Sequence, residues 1–495
     1  MIWGLAAVCL VAAIFASLRW LRIAQREHYL PVVSKFALRW WISRPLNAAL
    51  FFVAAVGVTA SLFLPWLAFL VPLAQVGPIG LSLRGRTSPL AWTPRLRRLA
   101  FLIAIYLLIL LAIAVLNDDA WLAAFAVFAL PWGVDGALIV LAGLEKNLGQ
   151  KWVTQAADRL ASSGARVVAI TGSYGKTSTK MYTAHLLAGA YRVVASPASF
   201  NNRMGLARAI NEQLAAGTEV FVAEMGTYGR GEIAEMCSWT HPEVSAIVSI
   251  GPVHLERFRS EENIVAAKSE ILEGAKAGVI AIDHPLLAAL ARAKEGSIDL
   301  VSVSTEGGAR VVVGGGRIVV DGRPLAPLPE DALEVNLGVA IGICLALGVD
   351  PEQVVGRLEG LPRPEHRQTV SRSERGFTVI DDTYNSNPAG ARLGLERLVA
   401  HGAEGRKVLV TPGMVELGPR QSHENEEFAA AAAALVDNIV IVGSTNRAAL
   451  LRGSANGAAS VTVVASRDEA VSWVREHLGP GDAVLYENDL PDHYP

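Results

Sequence analysis

The strongest chemical signal in the chain is the run Thr171-Gly172-Ser173-Tyr174-Gly175-Lys176-Thr177-Ser178. It follows a β-branched stretch and precedes a helical pattern, the setting in which backbone N–H groups and a helix N-terminus cradle phosphate oxygens. In that reading Gly172, Ser173, Gly175 and Ser178 line the loop, Lys176 neutralises the β- and γ-phosphates, and the Thr177 hydroxyl binds Mg²⁺. The loop is shorter than the general phosphate-binding loop, which has a glycine where this chain has Ile170. Downstream, Glu224 ends a predicted strand from Glu219, at the edge where parallel sheets expose their ligand sites. His254 follows a second predicted strand, Val244 to Ile250, across Gly251-Pro252. Taken singly, a loop His such as His254 or a helical Lys such as Lys268 is more often structural than chemical, and Asn pairs commonly make turns, whereas the strand-end Glu224 and the Asn201-Asn202 pair here read more readily as functional.

These residues need elements to position them. From about Ala165 the sequence alternates short β-branched runs with amphipathic stretches: Arg166 to Thr171, Glu219 to Glu224, Val244 to Ile250 and Val279 to Ile282 read as buried strands. Such alternation predicts an α/β fold with a mostly parallel sheet covered on both faces. Val311 to Asp321, with Gly314, Gly315 and Gly316 inside it, predicts a hairpin, and a helix should run from about Asp331 to Leu347. After Pro362 and Pro364 a second series begins near Thr378 to Asp381, Lys407 to Val410, Ile439 to Val442 and Ala483 to Tyr486. It predicts a smaller, Rossmann-like C-terminal α/β domain. The expected organisation is a helical transmembrane module at 1–148, a central domain at 149–362 and a C-terminal domain at 363–495.

Composition separates the first part from the rest. The 495-residue chain is 52% hydrophobic and 18% charged, with a mean hydropathy of +0.36, which excludes disorder and points to lipid contact. Residues 1–150 hold 12 basic and 5 acidic residues and 8 of the 11 tryptophans, whereas the remainder is net acidic. Ile2 to Leu18, Leu99 to Leu116 and Ala120 to Leu144 each read as membrane spans. Leu46 to Val76 is longer than one crossing needs and is broken near Gly57 and Pro65. The basic clusters before and after it are placed in the cytoplasm by positive-inside logic only if it enters and leaves on one side as a hairpin. The expectation is a multi-pass protein of the cell membrane with its catalytic domains in the cytoplasm and the bilayer as a partner. Three widely spaced cysteines argue against a disulfide framework or a Cys-based zinc site.

The shortened loop and its sequel resemble the Mur ligase family, most closely the branch that joins D-alanyl-D-alanine to a UDP-muramoyl tripeptide. The resemblance runs from about Arg166 to Val442 and is carried by Asn201-Asn202 with Gly205, Glu224-Met225-Gly226, and Gly251-Pro252-Val253-His254-Leu255-Glu256. It continues through Lys268-Ser269-Glu270-Ile271, Asp381-Asp382-Thr383-Tyr384-Asn385-Ser386-Asn387-Pro388, and Gly413-Met414-Val415-Glu416-Leu417-Gly418. What it implies is ligation of a carboxylate to an amine, in which ATP first phosphorylates the carboxylate and the amine then displaces phosphate. By the same resemblance, Thr177 and Glu224 serve one of two Mg²⁺ ions and His254 the other, and Lys268 is carbamylated. Asn201 and Asn202 meet substrate; Arg367 reaches the ATP phosphates from the second domain. Asn336, Asp382, Asn385 and Asn387 surround the nucleoside, with Lys176, Lys268, His254 and Arg367 as the catalytic set.

The chain also departs from the family. A membrane module stands where the UDP-sugar domain is expected, the His-Asn pair upstream of Asn336 reads Ala332-Leu333, and the basic motif near the C-terminus reads Tyr486-Glu487-Asn488-Asp489. Activation of a carboxylate is therefore expected, with a soluble or lipid-linked peptide donor and an amino-acid or dipeptide acceptor. Other envelope-synthesis proteins are expected as partners, and nucleic acid is not. A poly-γ-glutamate synthase is the alternative enzyme. A membrane NTPase that drives transport, or a nucleotide-binding scaffold, is the alternative outside ligation; a transporter would want charges inside its spans, where Asp135 is the exception to an otherwise uncharged set.

Overall fold

Residues 1–163 are built from helices, each of which satisfies its backbone hydrogen bonds within itself. In this computed structural model, which describes residues 1–85, 89–197, 199–330, 332–362, 369–383, 387–401, 405–491 and 493–495, they are α1 (Ile2–Arg26), α2 (Val33–Ile42), α3 (Pro45–Ala60), α4 (Leu70–Ala74), α5 (Pro94–Leu116), α6 (Ala120–Phe128) and α7 (Leu130–Ser163). Among the described residues α1 and α5 are long and apolar enough to cross a membrane alone. The pairs α2–α3 and α6–α7 qualify only as bent units, with angles of 116° and 66°. The expected unbroken span from Ala120 to Leu144 is thus corrected to two helices. Pro131, at the start of α7, donates no N–H and crowds the carbonyl one turn back, so the helix breaks at Ala129.

The segment Leu46 to Val76 does fold back on itself. A Cβ on Gly57 would lie 3.0 Å from Val71 Cγ2, so glycine permits the close approach. At the open end, Asn47 Nδ2 donates to Ile79 O (3.2 Å) and Ile79 N donates to Asn47 Oδ1 (2.9 Å), bringing entry and exit together. Asp135 serves the packing of the helices. Its carboxylate accepts from Val33 N (2.8 Å) and Ser34 N (3.0 Å), capping the positive N-terminus of α2. Helix α7 joins the two parts of the molecule. Val134, Leu138 and Leu141 belong to the core of the helical module, whereas Val153, Ala156 and Leu160 pack beneath the first sheet.

That sheet has nine strands: β1 (Arg166–Thr171), β2 (Val193–Ala195), β3 (Val220–Glu224), β4 (Val244–Ile247), β5 (Ala277–Ala281), β6 (Asp299–Ser304), β7 (Val311–Gly314), β8 (Arg317–Val320) and β9 (Arg323–Pro327). Their order is β2-β3-β1-β4-β5-β6-β7-β8-β9, parallel as far as β7. β3 and β5 are buried at every position, as strands covered on both faces must be. The expected hairpin is β7–β8, turning through Gly315 and Gly316 at positive φ (59° and 77°). The expected helix runs Glu334–Ala346, while Asp331 lies outside the described residues.

The second sheet comprises β10 (Thr369–Arg372), β11 (Thr378–Asp382), β12 (Lys407–Thr411), β13 (Asn438–Val442), β14 (Ser460–Val464) and β15 (Ala483–Glu487), ordered β10-β11-β15-β12-β13-β14 with only β10 antiparallel. Separate apolar clusters around Leu409 and Val410 cover its two faces. The expected boundary at residue 363 falls outside the described residues.

Candidate active site

The loop Gly172–Gly175 leaves the C-terminal end of β1, the strand flanked by β3 and β4. Its shape requires glycine at both ends. A Cβ on Gly172 would lie 3.0 Å from Tyr174 O, and Gly175 has φ 79° with Asn336 Nδ2 only 2.3 Å from where its Cβ would be. The middle of the loop is fastened to the segment after β4. Ser173 N donates to Ser249 O (2.9 Å), Tyr174 N to Ser249 Oγ (2.9 Å), and Gly251 N to Ser173 Oγ (3.1 Å). Helix α8 (Lys176–Leu187) then begins, so the N–H groups of Lys176, Thr177 and Ser178 lack intrahelical acceptors. Lys176 Nζ donates to Gly172 O (2.7 Å) and Ser173 O (3.3 Å), holding its charge over the loop.

Glu224, at the end of β3, gathers four other side chains. Its Oε2 accepts from Thr177 Oγ1 (3.0 Å) and Lys180 Nζ (3.0 Å), its Oε1 from Asn201 Nδ2 (3.2 Å), and its N–H donates to Ser196 Oγ (3.1 Å). Burial acts to raise its carboxyl, but Lys180, Lys176 and the Asn201 hydrogen bond outweigh it and hold the group below the usual carboxylate range. Lys180 is a functional candidate that sequence reading missed, although it lies one helical turn after Lys176 and therefore on the same face. Asn202 does something different from Asn201: its Oδ1 caps the helix Arg203–Gln213 by accepting from Gly205 N (2.9 Å). Lys268 is buried and donates to Gly172 O (3.0 Å), so it reaches the same loop from behind. Burial, with Lys176 nearby, pushes its amine well below the ordinary lysine value.

His254 is held from outside its own domain. It adopts φ 60° ahead of the short helix Leu255–Phe258, with the Tyr228 ring edge-on at 5.0 Å. Its Nδ1 is hydrogen-bonded to Oε2 of Glu416, a residue of the loop after β12. Burial would raise the Glu416 carboxyl, yet the hydrogen bond from His254, with Arg257 and His493 nearby, brings it down to about 2. Arg257 in turn donates to Glu27 Oε2 (2.8 Å), just past α1, and His493 Nε2 contacts Glu27 Oε1 (2.9 Å). Glu416 and Arg257 were also missed as site residues, although Glu416 lies within the Gly413–Gly418 motif.

Asn336 donates to Gly175 O (2.8 Å) and Thr179 Oγ1 (2.9 Å), bracing the start of α8. Asp382 is buried at the end of β11. Asn387 caps the helix Pro388–His401 by accepting from Gly390 N (3.0 Å). Arg367 and Asn385 lie outside the described residues. Among the described residues no three His, Cys, Asp or Glu side chains converge on one point. The donors at the loop are nonetheless hard oxygens, a hydroxyl and a charged carboxylate, which suit Mg²⁺. The buried Ser178 Oγ and Thr171 Oγ1 have no hydrogen-bond partner among the described residues.

Two family descriptions match the chain, the Mur ligase middle domain over residues 170–337 and the Mur ligase glutamate ligase domain over 366–486. A UDP-N-acetylmuramoyl-tripeptide–D-alanyl-D-alanine ligase from Mycobacterium bovis is 33% identical over 378 residues, covering 68% of this chain and 72% of its own. The chain belongs to the Mur ligase family. Members of the family are ATP-dependent amide-bond ligases, and this chain is an ATP-dependent acid–amino-acid ligase of that type. The D-alanyl-D-alanine branch also appears among solved structures. The ligase MurF from Acinetobacter baumannii superposes with a TM-score of 0.61 at 24% identity, over 69% of this chain and 77% of its own. MurF from Thermotoga maritima in complex with ADP gives 0.56 at 25%, over 69% and 80%. A Yersinia pestis folylpolyglutamate synthase/dihydrofolate synthase complexed with AMPPNP and Mn ion shares the fold, at 0.53 and 19% over 70% and 91%. The ADP and AMPPNP of those two structures are consistent with ATP as the nucleotide of this family.

Proposed function

We propose that this Mur ligase is a membrane-anchored enzyme of peptidoglycan-precursor synthesis that activates a peptide carboxylate as an acyl phosphate and joins it to D-alanyl-D-alanine or an amino acid. The observation that carries the proposal is the hub at Glu224, where Thr177, Lys180 and Asn201 meet at the mouth of the phosphate loop. The organisation is a helical module at 1–148, a central ATP-binding domain at 149–362 and a C-terminal domain at 363–495. Among the described residues two helices are long and apolar enough to cross a membrane, or up to four spans if each bent pair is one, and this is what favours anchoring, with the ligase domains on the cytoplasmic side in this reading.

In this reading the loop N–H groups with Gly172, Ser173, Gly175 and Ser178 seat the triphosphate, while Lys176 and Lys180 face the charge that builds on the transferred phosphoryl. The donor carboxylate attacks the γ-phosphorus, ADP leaves, the amine adds to the acyl carbon, and phosphate departs from the tetrahedral adduct. Thr177 and Glu224 would hold one Mg²⁺ and His254 a second, which when bound neutralise phosphate oxygens. Glu416 fixes His254 in the orientation that leaves Nε2 outward, the usual partnership of a ligating imidazole with a carboxylate. Lys268 is suited to carbamylation because its lowered amine affinity for protons supplies the neutral nucleophile that CO2 requires. By the family resemblance Arg367 and Asn385, both outside the described residues, would serve the ATP phosphates and the nucleoside, together with Asn336, Asp382 and Asn387. Asn201 faces the substrate, with Asn202 setting the turn.

Purified full-length protein with ATP, UDP-N-acetylmuramoyl-tripeptide and D-alanyl-D-alanine is expected to release phosphate only when donor and acceptor are both present. Turnover with glutamate and none with D-alanyl-D-alanine would replace this assignment by a polyglutamate-type ligase.

A further inference from the structure

A cavity of about 650 Å³ lies where three parts of the chain meet. Arg39 on α2 supplies one wall, Glu256 and Arg259 of the central domain the floor, and Gly418 to Ser422 with Arg452 of the C-terminal domain the far side. Its charge is lopsided. Three arginines face a single carboxylate, Glu256, and that carboxylate is already shared by Arg39 and Lys35. Arg452 is taken up by Glu426 and Ser422. Arg259 is exposed and has no side-chain partner among the described residues. A cavity with cations in excess of its acids is unfavourable to leave empty of anions, and guanidinium groups match phosphate and carboxylate by paired hydrogen bonds.

We propose that this cavity receives an anionic segment of the carboxylate donor, phosphate- or carboxylate-bearing, and that Arg39 and Arg259 recognise it. The inference rests on the ligase reading and deepens it. Its consequence is that the helical module contributes a specificity-determining residue to the substrate site as well as an anchor. Arg39 lies on α2 shortly before the turn into apolar α3, so the cavity opens beside the part of the chain proposed to enter the bilayer. The same anion reaches such a cavity on a soluble nucleotide-linked donor or on a lipid-linked one presented at the membrane.

The test uses the full chain in phosphatidylcholine nanodiscs. Binding is measured for UDP-N-acetylmuramoyl-tripeptide and, separately, for the same tripeptide on a polyprenyl diphosphate embedded in the discs, with ADP affinity as the control for folding. Arg39→Ala and Arg259→Ala are each expected to weaken binding of at least one donor by roughly tenfold or more, the scale of one charge-assisted hydrogen bond, with ADP affinity unchanged. The carrier whose binding falls identifies the source of the anion. Donor affinities that are unchanged in both variants, or a wild-type protein that binds ADP and neither donor, would overturn the inference. If Arg39→Ala loses ADP binding through misfolding, Arg259→Ala decides alone, since it breaks no described contact. Failure of the ligase reading itself looks different: ATP would be consumed without amide formation whatever stands at positions 39 and 259.

Discussion

The phosphate loop and His254 follow neighbouring strands of one sheet, yet they are held in opposite ways. The loop is fixed from within, by glycines, by backbone bonds to Ser249 and Gly251, and by Asn336 on a helix of the same sheet. His254 is fixed from without, by Glu416 of the second sheet's loops, while its neighbour Arg257 reaches Glu27 of the helical module. One half of the site is therefore local and preorganised, whereas the other exists only when three regions of the chain are assembled. In the proposed reading that division separates binding of the nucleotide from commitment to chemistry, and each half can be broken alone.

The largest effect is expected inside the loop. Lys176→Ala should lower ligation by about a thousandfold or more, since it removes the cation placed for the transferred phosphoryl, and should leave membrane partition intact. Steady-state kinetics with a flotation assay checks both. Next comes Glu224→Ala, which strands Lys180 as a buried, unpaired charge; both side chains are under 5% exposed. Breaking such a pair costs about 3–5 kcal/mol, visible as a lower unfolding midpoint together with lost Mg²⁺ dependence. Glu416→Gln attacks the assembled half. It should reduce kcat by about 10- to 100-fold, as loss of a carboxylate behind a ligating imidazole typically does, with ADP affinity unchanged. Equal loss of ADP affinity would erase the distinction between the two halves.

The smallest effect is in acid. Glu416 has its folded value lowered to about 2 from an ordinary 4.5, so its stabilisation is complete above about pH 4.5 and is lost as pH falls toward 2. Glu416→Gln should flatten that part of the stability profile, measured by thermal unfolding across this window.

The same division explains what the sequence disclosed. The strand, loop and helix around Lys176 were legible because glycine, β-branched and helical signals are contiguous, and β1 was placed at its observed bounds. Glu416 could not be paired with His254, because 162 positions separate them and no local pattern encodes that contact. The edge strand β10 was missed for a related reason: mostly exposed, it lacks the apolar run that marks a buried strand. The break at Ala129 was legible in Pro131, but hydropathy outweighed it in the reading of a single span. Asn202 and Asn387 each cap a helix, a use of the side chain that local sequence already allows at an Asn ahead of a helical pattern.

The central claim is that this site passes phosphate through the donor carboxylate before the amide forms. Its most direct test supplies the full-length protein with ATP, D-alanyl-D-alanine and a donor whose terminal carboxylate carries heavy oxygen, and reads the label in the released phosphate by mass spectrometry. The account predicts one labelled oxygen in each phosphate, in step with amide product, and none of either from Lys176→Ala. Unlabelled phosphate, or phosphate released without donor, would contradict it and identify the chain as a nucleotide hydrolase.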